Sequence, residues 1–125
     1  MRTFDDAARV LGELEQRVMD IMWSDAPQAV RDVHVRLGTS QLAYTTVMTT
    51  LDRLFKKKLL LRDKVGNAFV YRPAMTREQY QHRVVEAALA PMWAGDRDSV
   101  LAAFVDFAAR TDSATLDQLS ALIAK

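Results

Sequence analysis

This chain of 125 residues contains no cysteine. It also lacks the sequence patterns of membrane-spanning and secreted proteins. Without cysteine the chain forms neither a disulfide framework nor a thiolate metal site. No apolar run approaches the roughly 20 residues that a membrane-spanning helix needs, and the first ten residues lack the apolar core of a signal peptide. We therefore expect a cytoplasmic protein without direct membrane insertion.

Patterns that support catalysis or cofactor binding are also missing. The sequence has no glycine-rich phosphate loop and no nucleophile placed beside a base. Its only histidines, His34 and His82, have no carboxylates at ligand spacing around them, so neither a metal site nor a cofactor is predicted. Asp5 and Asp6 resemble a carboxylate pair but lie in a terminal segment. The chain is predicted not to be an enzyme.

Positive charge is concentrated in one short segment. The whole chain has a net charge of only +1, but residues 53–64 hold six basic residues and one acid, a local charge of +5. A local excess matters more than the total when the partner is a phosphate backbone. The run Lys56-Lys57-Lys58 could instead be a solvated helix end whose charge complements the helix dipole.

Three short helices are predicted in the first half of the chain. Apolar residues recur at helical spacing in residues 11–24, 30–37 and 43–57. Gly38 suits the end of the second helix, and residues 38–41 are predicted to form a tight turn. The third helix has a buried stripe of Val47, Leu51, Leu54 and Phe55. A tight turn before a basic third helix is helix-turn-helix organisation.

A β-hairpin is predicted to follow the third helix. Leu59–Lys64 and Ala68–Arg72 have strand character, and Val65-Gly66-Asn67 suits the tight turn between them. Pro73 should end the second strand because it has no backbone donor. A hairpin placed here is a wing, so the predicted fold is mostly α with a small β-hairpin wing. The winged helix-turn-helix domain is assigned to residues 9–74.

Residues 76–125 are predicted to form a three-helix dimerisation domain. Thr76 and Gln79 form a capping-box pattern for a helix that should end or kink at Pro91. Helices are expected at Ser99–Ala109 and Ser113–Ala124. So few residues bury only about 60% of their surface alone. They could pack on the winged helix or on a second copy, and DNA-binding proteins commonly dimerise to contact two half-sites.

Four threonines within six positions of the third helix are unusual, because β-branched residues disfavour helices. They are either a tolerated surface or a source of hydroxyls and methyls for phosphates and base edges. Arg62 belongs either to the DNA contact of the wing or to a charged strand edge that keeps the hairpin soluble. The predicted DNA-binding residues are Tyr44, Thr45, Thr46, Thr49, Arg53, Lys56, Arg62, Lys64 and Asn67.

Five segments resemble the penicillinase-repressor (BlaI/MecI/CopY) family of transcription regulators. They are LGELEQRVMDIMW, AVRDVHVRL, AYTTVMTTLDRLFKKK, VGNAFVYRP and SVLAAFVDF. The resemblance covers about residues 9 to 123. It implies a homodimeric winged-helix repressor that binds semi-palindromic operators with TACA/TGTA-type half-sites, in front of β-lactam resistance or related genes. One departure concerns Lys58, which stands where many family members have glycine, a residue that suits a left-handed helix end.

The resemblance also implies how such a repressor is released from DNA. Several family members are inactivated by proteolysis that a membrane sensor with a metalloprotease domain triggers, and the resemblance implies Ala103–Phe104, within the dimerisation region, as the matching scissile bond. The residues predicted to pair the subunits are Tyr80, Val84, Leu89, Leu101, Phe104, Val105, Leu116, Leu119 and Ile123. One alternative replaces proteolysis by a small-molecule effector held between the wing domain and the dimer helices. Another makes the winged helix a protein-interaction module with an acidic partner.

Overall fold

The computed structural model describes residues 11–38, 42–111 and 113–124, without the side chain of Ser113. These residues form six helices and a small antiparallel sheet, which confirms the predicted fold class. The predicted turn residues 39–41 and the Asp5-Asp6 pair lie outside the described part. In chain order the elements are α1 (Glu13–Ser24), β1 (Gln28–Ala29), α2 (Val30–Leu37), α3 (Tyr44–Lys56), β2 (Leu60–Val65), β3 (Ala68–Pro73), α4 (Arg77–Trp93), α5 (Arg97–Thr111) and α6 (Ser113–Ala124).

The first three helices begin and end close to the predicted positions. The largest difference is at the start of α1, which begins at Glu13 because Leu11 is buried in the core ahead of the helix. The predicted helix end at Gly38 is confirmed, since this glycine has the left-handed φ of +67°. Apolar spacing located these helices well because each one buries a single stripe of side chains.

The sheet contains one strand that was not predicted. Its order is β1-β3-β2, with Gln28 opposite Tyr71 in β3. Two residues are too short to show the period-2 pattern of a strand. The predicted hairpin is confirmed: β2 and β3 pair from Leu60 opposite Pro73 to Val65 opposite Ala68. Gly66 takes the positive φ, +63°, that its turn needs.

A single hydrophobic core joins α1, α2, α3 and the base of the hairpin. Its fully buried side chains include Met19, Val33, Leu51, Leu54 and Tyr71. The distal half of the hairpin lies outside this core, because Val65 and the neighbouring turn residues are exposed. The core therefore sets the position of α3, and the wing extends from its edge.

The start of α4 was predicted correctly, but its end was not. The Oγ1 atom of Thr76 accepts a hydrogen bond from the backbone N–H of Gln79 at 3.0 Å, and the reciprocal bond to the Oε1 atom of Gln79 is 2.9 Å long. The predicted helix end at Pro91 is wrong, because α4 continues to Trp93, whereas the predicted alternative of a kink stays a prediction. A proline in the last turn removes only one helical hydrogen bond, so the helix tolerates it there.

The chain divides into two compact units inside α4, with Val85 ending the first unit and Glu86 beginning the second. This boundary lies later than the predicted one, because the first turns of α4 pack on the core of the first unit. The ring centroids of Tyr80 and Trp23 are 5.7 Å apart, and Val84 contacts the same core. Tyr80 is only 6% exposed. Its own chain therefore covers most of this side chain, and its assignment to a subunit interface stays a prediction.

The second unit contains the rest of α4 together with α5 and α6. Only Ala108 is buried among the residues described there, while Leu89, Leu116 and Leu119 are partly buried. Large apolar side chains remain exposed on this unit, among them Leu101, Phe104, Val105, Phe107, Leu122 and Ile123. Across the described ranges no helix is long and apolar enough to cross a membrane.

Candidate nucleic-acid interface

The outer face of α3 is a polar surface with very little charge in its first two turns. Thr45, Thr46 and Thr49 are exposed there, and Tyr44 is exposed at the first position of the helix. The opposite face is buried, as predicted, through the stripe that contains Val47, Leu51 and Leu54. Side chains of this kind offer hydroxyl groups and methyl groups to the edges of bases.

The fourth threonine of the cluster has a different role. Thr50 is only 3% exposed, and its Oγ1 atom donates a hydrogen bond of 2.7 Å to the carbonyl oxygen of Thr46. This bond satisfies the hydroxyl inside the helix. Thr50 is therefore a core residue, and the three other threonines form the exposed set.

Met48 belongs to the same exposed surface and was missed in the sequence. It is 44% exposed and lies between Thr45 and Thr49 along the helix. A methionine within an apolar-rich helix is easily assigned to the core. Helical spacing could have identified it, because Met48 does not share the period of Val47, Leu51 and Leu54. Its flexible thioether adds an apolar contact to an otherwise hydroxyl-rich face.

Lys57 does not belong to the exposed basic surface. Its Nζ atom lies 2.9 Å from the Oε2 atom of Glu15 in α1, and the two side chains are only 21% and 12% exposed. Burial on its own would raise the pKa of the Glu15 carboxyl, but hydrogen bonds from Lys57 and the Gly12 backbone, with nearby positive charge, hold that pKa below its usual value. Lys57 therefore joins the end of α3 to α1.

Asp52, which the sequence did not single out, neutralises two further cations. Its Oδ2 atom lies 3.0 Å from the Nζ atom of Lys56, and its Oδ1 atom lies 2.9 Å from the Nη1 atom of Arg62. Hydrogen bonds from Lys56 and then Arg62 hold the pKa of this carboxyl below its usual value. Lys56 stays largely exposed, whereas the side chain of Arg62 is only 22% exposed.

The guanidinium of Arg62 lies between two aromatic rings. Its Cζ atom is 3.9 Å from the ring centroid of Phe55 and 4.1 Å from that of Phe69. It also donates a hydrogen bond of 3.4 Å to the hydroxyl of Tyr71. Arg62 was predicted to contact DNA. Its guanidinium is instead packed against these rings and does not extend freely from the wing into solvent.

Three other cations have open surroundings. Arg53, Lys58 and Lys64 are exposed and make no ion pair with any residue that the structure describes. They lie at the end of α3, just after it and on the wing, and Asn67 is exposed at the wing tip. Arg53, Lys56 and Lys58 lie at or just after the C-terminal end of α3, and together with Lys64 of the wing they are called the basic border.

His34 has a structural contact next to this surface. Its Nε2 atom is 2.8 Å from the carbonyl oxygen of Leu42, and its ring meets that of Tyr44 edge-on, with 5.7 Å between centroids. These contacts connect α2 to the start of α3. Within the described ranges no group of three or more metal-ligating side chains comes together.

The sequence matches a family model described as penicillinase repressor over residues 11–125. The chain belongs to the penicillinase repressor family. It is also 42% identical over 117 residues to the transcriptional regulator BlaI of Mycobacterium tuberculosis, in both the CDC 1551 / Oshkosh and H37Rv strains. That match covers 92% of this chain and 83% of the relative.

The winged helix of this chain also resembles a solved structure. The solution structure of the DNA-binding domain of the repressor BlaI aligns with a TM-score of 0.52 and 31% identity, over 58% of this chain and 90% of that domain. The chain is thus a winged-helix, DNA-binding regulator of the repressor class. The relatives carry the names of regulators, in line with the absence of a catalytic pattern from the sequence.

The predicted cleavage bond, Ala103–Phe104, lies inside α5. Both residues line an apolar groove of about 380 Å³ within the second unit, together with residues such as Leu89 and Phe107. Phe104 is 46% exposed. The bond is therefore within a regular helix, in the part of the chain that carries most of the exposed apolar side chains.

Proposed function

We propose that this chain binds semi-palindromic operators as a homodimer and controls β-lactam resistance or related genes. In this proposal α3 enters the major groove, where Thr45, Thr46 and Thr49 contact base edges and Tyr44 lies beside them. Arg53, Lys56, Lys64 and Asn67 contact the phosphate backbone. The observation that carries the proposal is an exposed hydroxyl and methyl surface together with the basic border.

The division of labour between these residues follows from their chemistry. Phosphate contacts position a protein on DNA, whereas base contacts specify the sequence. The threonine surface is uncharged, so it adds little to affinity for an arbitrary sequence. The basic border acts on every sequence alike, and each phosphate contact contributes about 0.9 to the dependence of log Kd on log salt concentration.

Dimerisation is supported by the second unit. Its helices leave Leu101, Phe104, Val105, Phe107 and Ile123 between 43% and 74% exposed. Contiguous exposed apolar side chains of this kind mark interaction surfaces. A second copy of the same unit would cover them and would also place a second α3 for the other half-site.

Operator binding is tested by fluorescence anisotropy with an inverted repeat of TACA/TGTA-type half-sites and a scrambled duplex, each at several salt concentrations. We expect the operator to bind more tightly than the scrambled duplex and both affinities to fall with salt. Thr46→Ala and Thr49→Ala should reduce the preference for the operator by about tenfold each. Lys64→Gln should weaken both duplexes equally and reduce the salt slope by about 0.9.

Equal binding to both duplexes would contradict sequence-specific recognition. Binding to DNA without sequence preference, together with tight binding of an acidic protein, would favour the alternative in which the winged helix is a protein-interaction module.

Release from DNA is proposed to follow proteolysis at Ala103–Phe104, triggered by a membrane sensor with a metalloprotease domain. A cut inside α5 would divide the dimerisation unit, so two linked half-site contacts would become two separate weak ones. Mass spectrometry of the protein from induced cells should detect the fragments on either side of this bond. An intact chain during derepression would contradict proteolysis and favour a small-molecule effector.

A further inference from the structure

We propose that Arg62 is a positioning residue that fixes the wing to the C-terminal turn of α3, and that it does not contact DNA phosphates. The expected effect of Arg62 on operator affinity rests on the proposed function, whereas its packing role does not depend on DNA binding. The arrangement itself is visible in the packing of Arg62 between Phe55 and Phe69.

Two aromatic rings and two hydrogen-bond acceptors already contact the Arg62 guanidinium. A guanidinium is a plane with two faces and an edge of N–H donors. Rings lie 3.9 Å and 4.1 Å from its Cζ atom, well inside the roughly 6 Å range of cation–π contact. Its Nη1 atom is directed to Asp52 at 2.9 Å and to the hydroxyl of Tyr71 at 3.4 Å. The side chain is only 22% exposed.

These partners come from different elements. Asp52 and Phe55 lie one turn apart in α3, whereas Phe69 lies in β3 and Arg62 itself in β2. One side chain therefore holds both strands of the hairpin against the helix that carries the threonine surface. Arg62 and Phe69 lie on the same face of the hairpin, because Arg62 pairs with Tyr71, two residues beyond Phe69.

The distal hairpin has few other contacts with the core. Beyond Leu60, no described residue of β2 is buried, and Val65 is 61% exposed. An isolated two-stranded hairpin is marginally stable in water. Arg62, Asp52, Phe55 and Phe69 are together called the clamp. The orientation of Lys64 and Asn67 on the wing therefore depends on the clamp, and a fixed orientation lowers the entropy cost of ordering the wing on DNA.

The position of Asp52 supports the same inference. A carboxylate beside a DNA-binding surface repels phosphates, so its place there needs a structural reason. It lies within 3.0 Å of both Lys56 and Arg62. Asp52 accepts one hydrogen bond from the Nη1 atom of Arg62 while the two rings contact the guanidinium, and a lysine ammonium could not stack on those rings as a plane.

The test uses three variants of the full chain. Phe69→Leu removes one ring of the clamp without changing the charge. Arg62→Lys keeps the charge but cannot stack as a plane. Lys64→Gln is the matched control, because it removes an exposed wing cation that has no ion pair within the described residues. Operator affinity at several salt concentrations and hydrogen exchange of the hairpin amides without DNA are measured for each variant.

Positioning by Arg62 predicts that Phe69→Leu and Arg62→Lys each weaken operator binding by about three- to tenfold. Both should also speed exchange of the amides that pair β2 with β3, by about threefold or more. Lys64→Gln should lower the salt slope by about 0.9 and leave the exchange unchanged.

Native affinity of Arg62→Lys, or unchanged exchange in both clamp variants, would overturn the proposal. A wild-type protein with no operator preference would contradict the proposed function instead. Hydrogen exchange of the hairpin amides would still test the positioning role of Arg62 in that case, because this measurement needs no DNA.

Discussion

Lys58 shows how a single residue can depart from the conformation that its position favours. Among the described residues it is the only non-glycine with a positive φ, +70°. The N–H of Leu59 donates to the carbonyl of Leu54 at 3.0 Å, and the N–H of Lys58 donates to that of Phe55 at 3.0 Å. These two bonds form a Schellman motif with Lys58 at the left-handed position, where glycine is usual.

Lys58→Gly should therefore stabilise the protein. It relieves a Cβ conflict of about 1–2 kcal/mol but adds freedom to the unfolded chain. We expect the free energy of unfolding to rise by about 0.5–1 kcal/mol in urea denaturation. Arg53→Gly is the matched control, since it places glycine at an exposed position inside α3 and should cost about 1 kcal/mol. Equal destabilisation by both substitutions would show that Lys58 is not strained.

At the scale of elements, the polar contact between α1 and α3 complements their apolar packing. Lys57 and Glu15 are 42 residues apart in sequence and form two hydrogen bonds, of 3.1 Å and 2.9 Å. Because the pair is mostly buried, losing one partner leaves the other charge poorly solvated. This contact fixes the end of α3, from which the basic border and the wing follow.

Glu15→Gln should reduce the free energy of unfolding by about 1–2 kcal/mol at pH 7. The pKa of Glu15 is lower in the folded state than its usual value of 4.5. Its contribution is therefore complete above about pH 4.5 and is lost as the pH falls through the folded pKa. Urea denaturation at pH 7, 5, 4 and 3 should show the difference from wild type shrinking on acidification.

The control for this prediction is Glu13→Gln, in the same turn of α1. Glu13 is exposed and makes no ion pair among the described residues, so its substitution should cost about 0.5 kcal/mol or less. A difference for Glu15→Gln that stays constant from pH 7 to pH 3 would contradict the assigned ion pair.

At the scale of the whole molecule, the two units differ in how well they cover their own apolar surface. The first unit buries side chains from α1 through the start of α4 in one core. Among its described residues the second unit buries only Ala108, and the side chain of Phe107 is 60% exposed. Small units of this kind usually need a partner for stability, which agrees with the proposed homodimer.

Phe107→Glu should convert the dimer to a monomer, because a carboxylate cannot be buried unpaired in an apolar interface. Sedimentation equilibrium should give twice the chain mass of 14.1 kDa for the native protein and one chain mass for the variant. Affinity for the full operator should fall by about 10²-fold, whereas affinity for one half-site should not change. Gln81→Glu, an exposed charge change in α4, is the control.

A variant that remains dimeric would place the subunit contact away from Phe107. A native protein that sediments as a monomer would contradict the proposed dimer itself.

The features that the sequence by itself determined are local ones. The stripe of Val47, Leu51 and Leu54 located α3, Gly38 marked the end of α2, and Thr76 with Gln79 marked the start of α4. Each depends on residues within a few positions of one another, where helical periodicity and backbone preference act directly. The order of these elements was enough to indicate a winged helix.

Tertiary structure decided which of the similar residues share a role. It buried Thr50 and exposed Met48, paired Lys57 with Glu15, and enclosed Arg62 between two rings. The sequence presents four threonines and a run of cations without distinguishing among them. Their partners come from other elements, so only the folded arrangement sets the burial and ion pairing of each side chain.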